Sequence, residues 1–145
     1  MEAKKIIISN KEITFLYIIF FVGIVGHLYD PLRNLMLLLT PATLLLTGLI
    51  VLFYSYKSST NNFLLWAAFT YIITFILEVI GVKTGLIFGE YNYGSTLGIK
   101  LFDVPLIIGF NWVFVILGSI AISRLITSNI FLSSIISAFI AFIFD

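Results

Sequence analysis

The residues best suited to chemistry in this sequence are concentrated between Glu78 and Trp112. This stretch contains three of the seven acidic residues and six of the ten glycines. A lipid-facing surface needs neither residue type, so something other than membrane crossing accounts for them. A carboxyl group in a low-dielectric environment keeps its proton at neutral pH and can act as a general acid. The stretch therefore predicts a functional site.

Glu78 is the first candidate for this site because it lies within an apolar segment. Thr70, Thr74 and Glu78 are spaced i, i+4 and i+8, so a helix places them on one face. An ionisable side chain within a membrane span is costly and usually faces the bundle interior or a cavity. The spacing thus favours a functional Glu78. The alternative is a carboxylate at the membrane interface, paired with Lys83 or solvated by lipid headgroups.

The connection 83–103 is long for so short a chain and contains the segment GLIFGEYNYG. Alternation along an extended segment puts Tyr91 and Tyr93 on one side. Glu90 and Asn92 then share the other side. We expect a lid or partly re-entrant loop with an aromatic surface. An ordinary interfacial cluster of aromatic residues is the alternative.

The next apolar segment follows Asp103 and carries Asn111 and Trp112. Asn111 shares a helical face with Gly118 and Ser119, which predicts a packing seam or a cavity lining. A purely structural hydrogen bond between helices is the alternative for Asn111. Trp112 lies too deep for a residue of the interfacial belt. Contact with an elongated apolar ligand is one interpretation of this tryptophan, and core packing is the other.

The composition places these candidates in a membrane protein. The 145 residues are 61% hydrophobic and 10% charged, and the mean hydropathy is +1.16. A soluble domain carries roughly 25% charged residues. The apolar runs are continuous rather than alternating, which indicates helices and excludes a β-barrel. We predict an all-α, polytopic membrane helix bundle.

The apolar runs predict a polar tail at 1–12 and a single transmembrane domain at 13–145. The last run is shorter than the roughly 20 residues that a span needs, which indicates a C-terminally truncated fragment or a protein completed by a partner. Lys and Arg in the short loops favour a cytoplasmic N-terminus. The five predicted spans are 13–29, 35–56, 63–82, 104–123 and 130–145.

Several classes of site are excluded by composition. The formal charge of +1 gives no sign of nucleic-acid binding. Without cysteine there is no thiolate metal site and no cysteine nucleophile. The single histidine, His27, is too few for a histidine-rich di-iron centre. No glycine-rich strand–turn–helix segment is present to bind a nucleotide cofactor. We expect no metal and no cofactor.

Two gapped motifs in the central stretch carry a family resemblance. They are E-x-x-G-x-x-T-G-x-x-F-G-x-Y-x-Y-G at 78–94 and V-P-x-x-I-G-x-N-W at 104–112. With them the sequence resembles the carotenoid biosynthesis membrane-protein family. This family includes bacterial carotenoid C-1′,2′-hydratases and archaeal bisanhydrobacterioruberin hydratases. Family members are usually longer, and Asp145 resembles the start of a further D-x-x-x-E-P type segment.

The resemblance implies a cofactor-free addition of water to the terminal double bond of an acyclic carotenoid end, giving a tertiary alcohol. The substrate would be γ-carotene- or lycopene-like, because the low charge argues against a haloarchaeal source. Such a reaction needs an acid to protonate carbon, a surface that stabilises the cation, and a positioned water.

The candidate residues divide among these three tasks. Glu78 or Asp103 would donate the proton, with Glu90 or Asp145 as alternates, and Asn111 would hold the water. The aromatic wall that binds the substrate would consist of Phe88, Tyr91, Tyr93 and Trp112.

Two other functions are compatible with the sequence. The first is a non-catalytic membrane scaffold for other pigment-synthesis enzymes. The second is a small proton-coupled transporter with Glu78 as the coupling site, although no internal duplication of the kind common in transporters is found. The expected partners are the lipid bilayer, a lipophilic carotenoid, and either other enzymes of carotenoid synthesis or a second copy of the chain.

Overall fold

The protein, represented by a computed structural model, is described at residues 10–59, 62–87 and 89–144. These residues form five α-helices and one short β-hairpin. The predicted all-α membrane bundle is confirmed. The helices are α1 (Asn10–Leu28), α2 (Asp30–Ser58), α3 (Phe63–Thr84), α4 (Leu106–Ile126) and α5 (Ile130–Phe144).

The first four helices are long and apolar enough to cross a membrane, which makes this a multi-pass membrane protein. Helix α5 is shorter, with 15 residues. Helix α2 begins at Asp30, five residues before the predicted start at 35. The reason is Pro31, since proline fits the first helical turn, where its missing N–H has no intrahelical partner. Only Tyr29 therefore lies between α1 and α2.

Helix α4 is the centre of the bundle. It packs against α2, α3 and α5, whereas α1 packs on α2. The Tyr71 hydroxyl on α3 donates to the Leu106 carbonyl at 2.9 Å and so holds the first turn of α4. On the opposite side, Gly48 of α2 lies against the rings of Phe110 and Phe114. These contacts set the position of α4 relative to both neighbours.

Four buried serines lie where α5 packs on α4. Ser119 and Ser123 on α4, and Ser133 and Ser137 on α5, are all buried. The Ser123 and Ser133 hydroxyl oxygens are 2.7 Å apart, and Ser137 donates to the Ser123 hydroxyl at 2.8 Å. Hydrogen bonds between helices are a main source of specificity in lipid, where apolar burial gives little driving force. This serine cluster therefore fixes where α5 lies.

The connection between α3 and α4 has regular structure in its second half. It contains a 3₁₀ turn at Ser95–Leu97 and an antiparallel hairpin of β1 (Lys100–Leu101) and β2 (Val104–Pro105). The two turn residues, Phe102 and Asp103, have φ of 52° and 68°. Two consecutive positive φ values are those of a type I′ turn, which suits the twist of a two-residue hairpin. Helix α4 consequently starts two residues after the predicted 104.

The packing of α2 on α4 can be tested at Gly48. A Cβ added there would lie 2.7 Å from the Phe114 ring and even closer to Phe110. We expect Gly48→Ala to lower the free energy of unfolding by about 1–3 kcal/mol, the usual cost of overpacking. Thermal unfolding in detergent measures this change.

The matched control is Gly118→Ala on α4, where an added Cβ meets nothing within 4 Å. Alanine is the better helix former, so this variant should keep or raise the melting temperature. Equal melting temperatures for the two variants would contradict the close approach at Gly48.

Candidate functional site

Glu78 is buried in the bundle and receives three side-chain hydrogen bonds. It is 3% exposed and lies on α3, about 9 Å from the C-terminal end of that helix at 1.5 Å per residue. The indole N–H of Trp112 donates to Oε1 at 2.6 Å. The hydroxyls of Tyr91 and Tyr93 both donate to Oε2, at 2.6 and 2.8 Å. Both carboxyl oxygens are thus held in fixed directions.

Tyr91 and Tyr93 both reach Glu78, which agrees with the prediction that these two residues share one side of the segment. Their rings meet edge to face, with centroids 5.4 Å apart. The Lys100 ammonium group donates to the main-chain carbonyl of Tyr93, which ties the hairpin to the same segment. The connection is therefore fastened over the C-terminal half of α3 by hydrogen bonds to one buried carboxyl group.

The interfacial interpretation of Glu78 is wrong. Its carboxyl group is bonded to protein side chains and is not open to headgroups. Lys83, the proposed ion-pair partner, has its ammonium group 5.0 Å from the centroid of the Phe102 ring. A lysine on an aromatic face is itself a favourable arrangement. Glu78 is consequently part of an interior site.

An apolar groove of about 490 Å³ runs along α4 from Glu78. Trp112, Ile116, Ile120 and Arg124 line it at every fourth position of α4. Twelve residues of helix correspond to a length of about 18 Å. The lining from the flanking helices consists of Thr74, Leu77 and Glu78 on α3 and of Ile130, Ser133, Ser134, Ser137, Ala138 and Ala141 on α5, with Ser128 before α5. This groove can hold one end of a long apolar molecule.

A second, smaller space of about 150 Å³ lies beside the same carboxyl group. Tyr93 and Asn111 supply polar groups to it, and Phe144 of α5 contributes an apolar edge. One water occupies about 30 Å³ in the liquid, so the cavity has room for a few waters. Glu78 and Trp112 line both spaces. The apolar groove and the polar cavity therefore meet at one carboxyl–indole pair.

A larger groove between α1 and α2, of about 610 Å³, offers no comparable chemistry. It is lined by apolar residues with Thr40, Thr43 and His27. The ring nitrogen Nδ1 of His27 lies 2.7 Å from the Gly23 carbonyl within the same helix. No carboxyl group lines this groove in the part of the chain that the structure describes. The Glu78 site is the better candidate.

The other carboxyl candidates lie apart from the two spaces at Glu78. Asp103 occupies the hairpin turn and is exposed, and aspartate is among the residues that tolerate its positive φ. Glu90 is exposed and lines an outer crevice together with Lys83 and Tyr91. The predictions made for Phe88 and Asp145 lie outside the described residues.

Tyr93 is a titratable group of the connection whose pKa is shifted by its surroundings. Burial raises the pKa of the Tyr93 hydroxyl well above its ordinary value. The hydrogen bond to Glu78, and the negative charge that this carboxylate can carry, raise that pKa further. Tyr93 is therefore a neutral phenol at neutral pH.

Sequence reasoning missed most of the groove. Ile116, Ile120 and Arg124 were not singled out, although their spacing from Trp112 puts them on one helical face. A second signal was the pair of serines on each of α4 and α5. Each pair is spaced i and i+4, which puts both of its serines on one helical face. Of these four residues only Ser119 was noted. No group of three or more His, Asp or Glu side chains suited to a metal occurs among the described residues.

Comparison with known protein families gives a match. A family model described as carotenoid biosynthesis protein matches residues 39–144. The matched region includes α3, α4, α5 and every residue of the Glu78 site. Neither the curated proteins nor the solved structures contain a match to this chain.

Proposed function

The chain belongs to the carotenoid biosynthesis protein family, and from the geometry at Glu78 we propose that it hydrates the terminal double bond of an acyclic carotenoid end. The product is a tertiary alcohol. The substrate end is of the γ-carotene or lycopene type, and the reaction needs no cofactor. The protein acts in the bacterial cytoplasmic membrane with its N-terminus on the cytoplasmic side.

The observation that carries this proposal is the meeting of two spaces at one carboxyl group. Hydration of an alkene brings together an apolar substrate and water, which do not mix elsewhere in a membrane. The groove along α4 suits the carotenoid end, and the cavity beside Asn111 suits the water. Glu78 borders both and can reach an atom in either. This arrangement supports a general-acid hydration.

The first step is proton transfer from the Glu78 carboxyl group to the less substituted alkene carbon. The positive charge then rests on the tertiary carbon. The face of Trp112, which lines the groove, can stabilise this cation, and the new carboxylate beside it accepts hydrogen bonds from three donors. The positive charge on the carotenoid and the negative charge on Glu78 are thus both stabilised before water adds.

Expression in a carotenoid-producing bacterium tests the proposal directly. The host makes lycopene or γ-carotene and lacks a hydratase of its own, and its pigments are analysed with and without this protein. We expect a 1′-hydroxylated carotenoid when the protein is present. Product that forms only when other pathway enzymes are co-expressed would favour the scaffold function. No product under either condition, with the protein folded in the membrane, would reject hydration.

The water cavity can be tested at Asn111. Asn111→Leu replaces the polar group in the cavity by an apolar one of similar size. We expect the yield of alcohol to fall by about 10- to 100-fold, because a mispositioned reactant can cost as much as 100-fold. Pigment analysis measures the change. Asn92→Leu is the control, since Asn92 lines the outer crevice and should leave the yield near the wild-type value.

A further inference from the structure

Tyr91 and Tyr93 contact the same oxygen of Glu78 but face different spaces. Their hydroxyls donate to Oε2 at 2.6 and 2.8 Å. Tyr93 lines the inner cavity that also contains Asn111. Tyr91 lines the outer crevice with Lys83 and Glu90. The two phenols therefore donate to the same carboxyl oxygen and interact with each other, while of these two residues only Tyr93 lines the cavity proposed to hold water.

We propose that Tyr93 is a proton relay that returns the proton of the attacking water to Glu78. This inference rests on the proposed hydration and adds a role to it. The sequence suggested only an aromatic wall for Tyr93. The geometry instead gives it a position between the cavity and the carboxyl oxygen.

The relay closes the catalytic cycle with all protons accounted for. Glu78 first gives its proton to the alkene and becomes a carboxylate. A lone pair of the water oxygen then forms the C–O bond to the tertiary cation, and the resulting oxonium loses a proton to the Tyr93 oxygen. The Tyr93 hydroxyl proton passes to Oε2 in the same event. The products are the alcohol, neutral Tyr93 and protonated Glu78.

The environment of Tyr93 favours such a coupled transfer. Its raised pKa makes a free phenolate costly, so Tyr93 can release its proton only while it receives another. A hydroxyl group can donate and accept at once, which the coupled transfer requires. Trp112 cannot take this role, because its indole N–H is a donor only.

Tyr93→Phe tests the relay, and Tyr91→Phe is its matched control. Each variant removes one phenol hydroxyl and one hydrogen bond to Oε2. We expect Tyr93→Phe to lower the yield of hydroxylated carotenoid by at least about 10-fold, within the range of general acid–base effects. Tyr91→Phe removes one of the three donors to the Glu78 carboxylate and should lower the yield clearly less than Tyr93→Phe does, because Tyr91 is not among the residues that line the cavity.

A second measurement distinguishes the loss of a proton relay from a structural change at the site. Cells or membranes are incubated in D₂O, and deuterium is measured in the unreacted carotenoid by mass spectrometry. Tyr93→Phe keeps the acid, so the alkene is still protonated and the cation returns to alkene by losing a proton to Glu78. We expect this variant to incorporate deuterium at the terminal isoprene unit while it forms little alcohol.

The outcomes are distinct. Equal losses of alcohol in the two tyrosine variants, or full activity in Tyr93→Phe, would overturn the relay while leaving hydration in place. Loss of both alcohol and deuterium incorporation in Tyr93→Phe would also overturn it, because the variant would then have lost the acid function. A wild-type protein that forms no alcohol would reject the proposed function itself, and the relay with it.

Discussion

Replacing Glu78 by glutamine is expected to lower the yield of hydroxylated carotenoid by at least about 100-fold, the lower end of the range for general acid–base catalysis. The amide has nearly the shape of the carboxyl group but cannot donate a proton to carbon. Its oxygen can still accept from Trp112, and the tyrosine hydroxyls can turn to accept from its NH₂ group. The variant should therefore fold, and the loss should be chemical. Pigment analysis in a lycopene- or γ-carotene-producing strain measures it.

The controls are the two other acidic side chains of the central stretch. Glu90→Gln and Asp103→Asn change exposed residues outside both the groove and the cavity. We expect each variant to give a yield of alcohol within about threefold of wild type, because the proposed general acid, Glu78, is unchanged. Wild-type activity in Glu78→Gln would show that Glu78 is not the acid. A large loss in Asp103→Asn would assign the role to that residue instead.

Blocking the apolar groove should have a comparably large effect. Ala138 lines the groove on α5, opposite the face of α4 that carries Ile116 and Ile120. The larger side chain in Ala138→Trp would occupy space proposed for the carotenoid end. We expect at least about a 100-fold lower yield of alcohol, because the double bond can no longer reach Glu78 in a reactive position. The same pigment assay applies.

Ala121→Trp is the control for groove blocking. Ala121 is exposed on α4 and does not line the groove, so an indole there meets lipid. This variant should keep both wild-type activity and membrane insertion. If Ala138→Trp hydrates as well as Ala121→Trp does, the carotenoid end does not bind in the α3–α4–α5 groove. The proposed path to Glu78 would then be wrong.

Much of the site could be predicted from local pattern. The spacing of Thr70, Thr74 and Glu78 indicated a side chain turned inward, and Glu78 is buried. Alternation predicted that Tyr91 and Tyr93 share one side, and both contact the same carboxyl oxygen. These predictions succeeded because period 3.6 in helices and period 2 in extended segments are local properties.

Other features depended on contacts that no local pattern contains. Asp103 and Glu78 were equivalent candidates by residue type. The type I′ turn puts Asp103 in an exposed position, and the turn forms because β1 and β2 pair. The alternative that paired Glu78 with Lys83 failed for a similar reason. The Lys83 ammonium group lies over the ring of Phe102, which is distant in sequence.

By itself, the sequence determined the class of protein, the approximate helices and the central stretch that contains Glu78. Hydropathy and periodicity suffice for these, since each depends on a residue and its near neighbours. Tertiary structure decided that Trp112, 34 positions after Glu78, donates to its carboxyl group. It also decided that the buried serines hold α5 where a groove opens on that carboxyl group. These contacts between residues distant in sequence depend on how the helices pack and on the path of the α3–α4 connection, and no local pattern determines either.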